Sequence, residues 1–336
     1  MPLPRSGPSI DGGDCTGQQP ALPLAPMRAV QELATIITAS FGGDKASLDR
    51  LETNSADAGM AATALSLLQA PPGSFGPPTQ QFASVMVVRY CRAAVVDATQ
   101  TSALCQQALQ LGLSPPPGTR QNVSMNLLTA AAAAASRLSA DAIVFVHAQA
   151  LARHTAACSG SAGAGSDPDF EAGTTVALKL LRLIAEECAR ETQAAADHAA
   201  LGAIRPLARP TLEAVATSLS AAVRRGDAGG SGAQQGGGGA AKAARAALSC
   251  LQQWVRVCAV KIEDAATVHE LLPALLSMLS TNDGALADGA AESLAAFLPQ
   301  AAEPGLEAFA EVARALSSQF ARLDFRNPAQ VRASYM

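Results

Sequence analysis

The stretch Ala247-Leu248-Ser249-Cys250-Leu251-Gln252-Gln253-Trp254 combines apolar residues at helical spacing with the chain's single tryptophan. The apolar positions extend beyond it as one stripe at i, i+3, i+4, i+7 and i+11: Leu251, Trp254, Val255, Cys258 and Ile262. Such a stripe places one face of a helix against a packed neighbour. This stretch therefore predicts a helix with one buried face, and similar stripes recur along the chain.

The composition of the chain favours helices throughout. Hydrophobic residues make up 49% of the 336 residues, mostly as alanine and leucine, while aromatic residues make up only 4%. Alanine and leucine are strong helix formers, whereas strands are enriched in aromatic and β-branched residues. The net charge is −4 and the basic residues are scattered, which argues against a phosphate-binding stripe and therefore against direct binding of nucleic acid.

Helical stretches alternate with proline- and glycine-rich breaks. Gly42-Gly43 ends a helix that begins at Met27, and Asp44 is placed to cap the next helix. Further helix-rich stretches are predicted at 44–70, 79–112, 119–158, 170–225, 240–281 and 284–323. Helix pairs of this kind bury their apolar faces by stacking on one another. We therefore predict an all-α fold, a HEAT/armadillo-like α-solenoid of about six antiparallel helix pairs over residues 27–325.

Four segments fall outside this array. Residues 1–26 are rich in proline and glycine and are expected to form a disordered leader, and residues 326–336 an irregular tail. Residues 159–166 and 226–239 are rich in glycine, serine and alanine and are expected to be flexible inserts.

No constellation of residues predicts catalysis or a bound cofactor. His147, His154 and Cys158 share a helical face, but ligands two turns apart are too distant for one zinc ion, so histidines at the edge of an apolar stripe are the favoured interpretation. The glycine run before Lys242 lacks the spacing of a phosphate-binding loop. We expect no enzyme activity, no metal and no cofactor.

Seven cysteines without a C-x-x-C pair predict reduced core thiols, as in the cytoplasm or nucleus. No apolar run is long enough to span a membrane. Glu186, Glu187 and Glu191 are interpreted as a solvated face that forms salt bridges with Arg182 and Arg190. Trp254 is assigned to the core in preference to an exposed binding hot spot, because Leu251 and Val255 flank it.

The order of the helical segments resembles the N-terminal portion of nuclear transport receptors of the importin-beta superfamily, in the branch of transportin-SR and importin-thirteen. The motifs that carry this resemblance are Ala29–Leu33, Lys45–Leu48, Leu65–Gln69, Gln81–Ser84, Asn126–Leu128 with Ala131–Ala135, Leu178–Glu187, Ala247–Trp254 and Ala290–Leu294. The signature residues among them are Phe82, Ala83, Leu248, Cys250, Leu251 and Trp254.

The resemblance implies a fragment of a receptor that binds the small GTPase Ran in its GTP form and carries protein cargo through the nuclear pore. It implies further contacts with phenylalanine-glycine repeats of the pore, and a location in nucleus and cytoplasm. No Ran-contact residue can be carried over from the family. The alternative prediction is a HEAT-repeat protein-interaction scaffold unrelated to transport.

Overall fold

The structure, a computed structural model, describes residues 25–54, 57–93, 97–160, 168–195, 199–228, 238–257, 260, 265, 268, 270–279, 281 and 283–297. Those residues form helices and turns and contain no strand. The helices are α1 Met27–Phe41, α2 Lys45–Thr53, α3 Ala58–Leu68, α4 Pro77–Arg92, α5 Ala98–Leu113, α6 Gln121–Leu138, α7 Ala140–Gly160, α8 Pro168–Ala195, α9 Ala199–Ile204, α10 Ala208–Ala228, α11 Gly238–Arg256, α12 Leu271–Leu279 and α13 Gly284–Ala295, with a 3₁₀ turn at Arg205–Leu207.

The first two helices begin and end where local sequence rules place them. Helix α1 spans Met27–Phe41, and Gly43 follows it with φ +89°, a left-handed conformation that favours glycine. The Asp44 side chain accepts a hydrogen bond from the Ser47 backbone amide at 3.2 Å, which confirms the predicted helix cap.

Most helices of the described residues pack in pairs of neighbours along the chain. The pairs α3 with α4, α5 with α6, α7 with α8, α10 with α11, and α12 with α13 each pack together. The proline breaks at 71–72 and 115–117 lie between the two members of a pair. These two proline breaks therefore lie in the turns that connect α3 to α4 and α5 to α6.

These pairs stack into two rows of helices. We call the helices α3, α5, α7, α10 and α12 the first row, and the helices α4, α6, α8, α11 and α13 the second row; within each row every helix packs on the next. In the second row, α6 buries an unbroken run from Ala130 to Ala135. Short alanine side chains allow the helices around α6 to approach closely.

Contacts between specific residues give the direction of neighbouring helices. In the first row, His147 and His154 of α7 contact Thr211 and Ser218 of α10, so these helices run parallel. Within one pair, Cys105 of α5 donates to the Ala131 carbonyl of α6, and Gly112 lies against Leu128, so α5 and α6 run antiparallel. Parallel rows and an antiparallel pair are compatible with an α-solenoid.

The segments predicted outside the array are described only at their edges. Helix α7 continues to Gly160 and α10 to Ala228, so the first residues of both predicted inserts are helical. The Ala25 amide, near the end of the predicted leader, donates to Ser66 Oγ of α3 at 3.0 Å. Residues 1–24, 161–167, 229–237 and 301–336 lie outside the described residues.

Candidate functional site

Trp254 belongs to the core of the helical array. Its side chain is fully buried, and its Nε1 donates a hydrogen bond to the Leu181 carbonyl of α8 at 2.9 Å. Its ring also lies 5.9 Å from the His147 ring of α7, measured between centroids. The Trp254 side chain therefore contacts both α8 of the second row and α7 of the first row. A fully buried tryptophan cannot act as an exposed binding hot spot, so the assignment to the core is confirmed.

The other signature residues on α11 are also packed inside. Leu248, Cys250 and Leu251 are buried, and Leu248 lies so close to Gly289 of α13 that a Cβ there would be 3.0 Å from its Cδ1. Burial raises the pKa of the Cys250 thiol far above its usual value, which makes it unreactive. Helix α11 ends at Arg256, and Cys258 and Ile262 of the predicted stripe lie outside the described residues.

The two signature residues of α4 lie elsewhere in the fold. Ala83 is fully buried, while the half-buried Phe82 packs edge to face against Phe41 of α1, with ring centroids 6.0 Å apart. Helices α6 and α8 separate α4 from α11 in the second row. The signature residues therefore form two separate structural contacts and do not assemble into one site.

Two histidines of α7 form hydrogen bonds with hydroxyl groups of α10. His147 Nε2 lies 2.8 Å from Thr211 Oγ1, and His154 Nε2 lies 2.8 Å from Ser218 Oγ. Both hydroxyls already donate to helix carbonyls, so each histidine must donate its Nε2 proton. Burial lowers the pKa of His147 to about 4 and also lowers the pKa of His154. Both rings are therefore neutral at pH 7.

Each of the two histidines has its own hydroxyl partner, and the two rings do not converge on one metal ion. Cys158 Sγ lies 3.9 Å from the His154 ring nitrogens, while His147 points to a different partner one heptad earlier. Among the described residues, no group of three or more histidine, cysteine, aspartate or glutamate side chains is arranged to hold a metal ion. His198 and His269 lie outside them.

The prediction of a solvated, salt-bridging acidic face on α8 is right in part for Glu187: Arg190 Nε lies 3.4 Å from its carboxylate, as expected, but the carboxylate is not solvated. Glu186 does pair with Arg182 at 3.2 Å on a half-exposed face. Glu187, however, is only 3% exposed and binds the Arg92 guanidinium of α4, accepting from its Nε at 3.2 Å. The sequence pattern missed this because the carboxylate points across the second row, towards a helix that lies 95 residues earlier in the chain.

The clefts in the described part of the chain are shallow. One of about 300 Å³ lies between α1, α2 and α3, one of about 270 Å³ between α10 and α12, and one of about 240 Å³ beside α6, α7 and α9. These volumes fall at or below the lower end of the ~300–1,000 Å³ range of small-molecule sites. These three clefts give little support for a small-molecule site, and the candidate sites described next are helix surfaces.

Two surface features could bind a partner. On the first row, Val144 and Phe145 of α7 are 45% and 42% exposed, side by side. On the second row, the sequence K-x-x-R occurs on both α8 and α11, as Lys179 with Arg182 and Lys242 with Arg245. The sequence reasoning missed these four cations, although the repeated spacing was a usable signal once α8 and α11 were known to be neighbours.

Comparison with protein-family models, curated proteins and solved structures finds no match for this chain. None of the helices in the described part of the chain is both long enough and apolar enough to cross a membrane.

Proposed function

We propose that this chain is an α-solenoid of the HEAT/armadillo type that works by binding other proteins along its helix rows. The observation that carries the proposal is the two-row packing, in which consecutive pairs place parallel helices side by side. Such an array presents broad surfaces made from many helices, which suit protein partners rather than small molecules. The shallow clefts agree with that use.

Within this class, the specific candidate is a nuclear transport receptor of the importin-beta superfamily. Five of the motifs that carry the resemblance fall on the five helices of the second row: Gln81–Ser84, Asn126–Leu128, Leu178–Glu187, Ala247–Trp254 and Ala290–Leu294. Their recurrence at one structural position supports a repeated unit. Most of their apolar members are buried, so they support the fold more than any particular contact with Ran.

The exposed pair on α7 supports a second element of the transport proposal. Val144 and Phe145 form an apolar patch on a first-row helix, which could hold a phenylalanine side chain of a pore repeat. A receptor of this kind would bind Ran-GTP and protein cargo in competition and would move between nucleus and cytoplasm. Linkage between the two ligands would arise because each favours a different curvature of the array.

The deciding experiment is a calorimetric titration of the full chain with Ran bound to a non-hydrolysable GTP analogue, and in parallel with Ran bound to GDP. Binding of the GTP form alone would support a transport receptor. A phenylalanine-glycine repeat peptide then tests the first row: Phe145→Ser should weaken its binding, whereas Phe41→Ser, which removes another exposed phenylalanine on α1, should not.

The alternative function is a protein-interaction scaffold unrelated to transport. It shares the same fold and requires only the broad helix surfaces of the two rows. A chain that is folded by circular dichroism, yet binds neither form of Ran nor the repeat peptide, would refute the transport proposal and leave the scaffold.

A further inference from the structure

Four cations gather on the second row where α8 and α11 pack together. A spacing of three residues puts Lys179 and Arg182 on one face of α8, and Lys242 and Arg245 on one face of α11. The two helices run parallel, because Glu171 lies against Gly239 at their beginnings and Arg182 Nη1 donates to Ser249 Oγ at 3.1 Å farther along. We call these four residues the cationic patch.

The two arginines of the cationic patch are neutralised within the fold. Arg182 pairs with Glu186 at 3.2 Å, and Arg245 pairs with Asp283, the capping residue of α13, at 2.9 Å. Both ion pairs join groups that are at least 30% exposed. The arginines are thereby held in position rather than left free.

The two lysines have no such partner. Among the described residues, no carboxylate lies within ion-pairing distance of the Lys179 or Lys242 ammonium group. Burial lowers the pKa of Lys179, and the positive charges of Lys242 and Arg182 lower it further. Lys179 and Lys242 lie on neighbouring parallel helices, and an anion placed between them would offset the repulsion between their charges.

We propose that the cationic patch binds an acidic segment of a partner protein, with carboxylate side chains seated between Lys179 and Lys242. The neighbouring acids decide between a protein and a nucleic acid. Glu171 and Glu186 lie on α8, and Glu292 of α13 accepts a hydrogen bond from Gln252 of α11. These carboxylates would repel a continuous phosphate backbone, whereas separate carboxylates of a peptide can meet the two lysines alone. This inference holds for a transport receptor and for a scaffold, and it does not require Ran binding.

The test uses fluorescence anisotropy of the full chain with a labelled ten-residue peptide of alternating glutamate and alanine. The wild-type chain should bind it with an affinity that falls as salt rises. The variant Lys179→Glu/Lys242→Glu should raise Kd by roughly tenfold or more, since two attractive charge pairs become repulsive. The matched control is Arg28→Glu/Lys45→Glu, which makes the same charge change at exposed positions on α1 and α2. These two helices do not pack on α8 or α11, so the control should change Kd less than about twofold.

A reciprocal peptide protects the test against simple misfolding. A peptide of alternating lysine and alanine should bind the Lys179→Glu/Lys242→Glu variant more tightly than it binds the control variant Arg28→Glu/Lys45→Glu, which has the same net charge; a general effect of charge would make the two equal. Equal losses in the variant and its control would overturn the proposal. Tighter wild-type binding to oligothymidylate of the same charge than to the acidic peptide would overturn it in favour of nucleic acid. Because neither peptide involves Ran, failure here is separate from failure of the transport proposal.

Discussion

Replacing His147 by glutamine should remove the contribution of this residue to the pH dependence of stability, while that of His154 remains. His147 is 2% exposed, and its Nε2 donates to Thr211 of α10. Burial lowers its pKa from 6.5 to about 4 in the folded chain. The unfolded chain therefore takes up this proton first, and stability is lost as pH falls through 6.5 towards 4.

The size of the effect follows from those two pKa values. Lowering the pH from about 7.5 to about 5 should cost the folded state roughly 2 kcal/mol through His147 alone. Glutamine does not titrate, and its amide nitrogen can still donate to Thr211. The His147→Gln variant should be less stable at pH 7.5, because the ring contact with Trp254 is lost, but its stability should fall less on acidification.

The assay is urea unfolding at both pH values, followed by circular dichroism and by the fluorescence of Trp254. Trp254 is the chain's single tryptophan and lies beside His147, so its fluorescence reports on this site. The control is Val215→Ala, a change to a buried, non-titrating residue of α10, which should lower stability equally at both pH values. Equal pH dependence in His147→Gln and in the wild-type chain would refute the reasoning.

Two further comparisons test the packing between helices. Gly112→Ala should destabilise the folded chain by about 1–2 kcal/mol, because its Cβ would lie 2.7 Å from Leu128 Cδ2. Gly202→Ala has open space around it and should stabilise the folded chain by up to about 1 kcal/mol. Shifts of the same sign in the thermal unfolding temperature of the two variants would contradict this. Glu187→Gln should cost about 1–2 kcal/mol and Glu186→Gln less than about 0.5 kcal/mol, because the Glu187 carboxylate is 3% exposed whereas that of Glu186 is 32% exposed. Equal losses in urea unfolding would show that burial at Glu187 contributes nothing.

Sequence reasoning identified the helices well and their neighbours poorly. The predicted first helix, its glycine stop and the Asp44 cap are all present, because each depends on residues within one or two turns. The burial of Trp254 was also predictable, since its apolar flanks lie on the same turn of helix. By contrast, the Glu187 carboxylate was placed in solvent, because its partner Arg92 is remote in sequence.

The cationic patch and the exposed Phe145 also depend on contacts between helices that are distant in sequence. The K-x-x-R spacing on α8 and on α11 is visible in the sequence, but only their parallel packing brings Lys179 and Lys242 together as one patch. The exposed position of Phe145 likewise depends on which faces of α7 the neighbouring helices cover.

The sequence by itself determined that the described part of this protein is helical, where the first helix begins and ends, and where the proline and glycine breaks between helical stretches fall. Those properties arise from interactions between residues a few positions apart, which a spacing pattern encodes directly. Only the tertiary structure decided that α4 packs on α6 rather than on α5, that His147 and His154 each meet a hydroxyl 64 residues away, and that Lys179 and Lys242 lie on neighbouring parallel helices. These outcomes depend on which of several similar apolar faces pack against each other. The spacing of residues within one helix does not specify the partner of its apolar face.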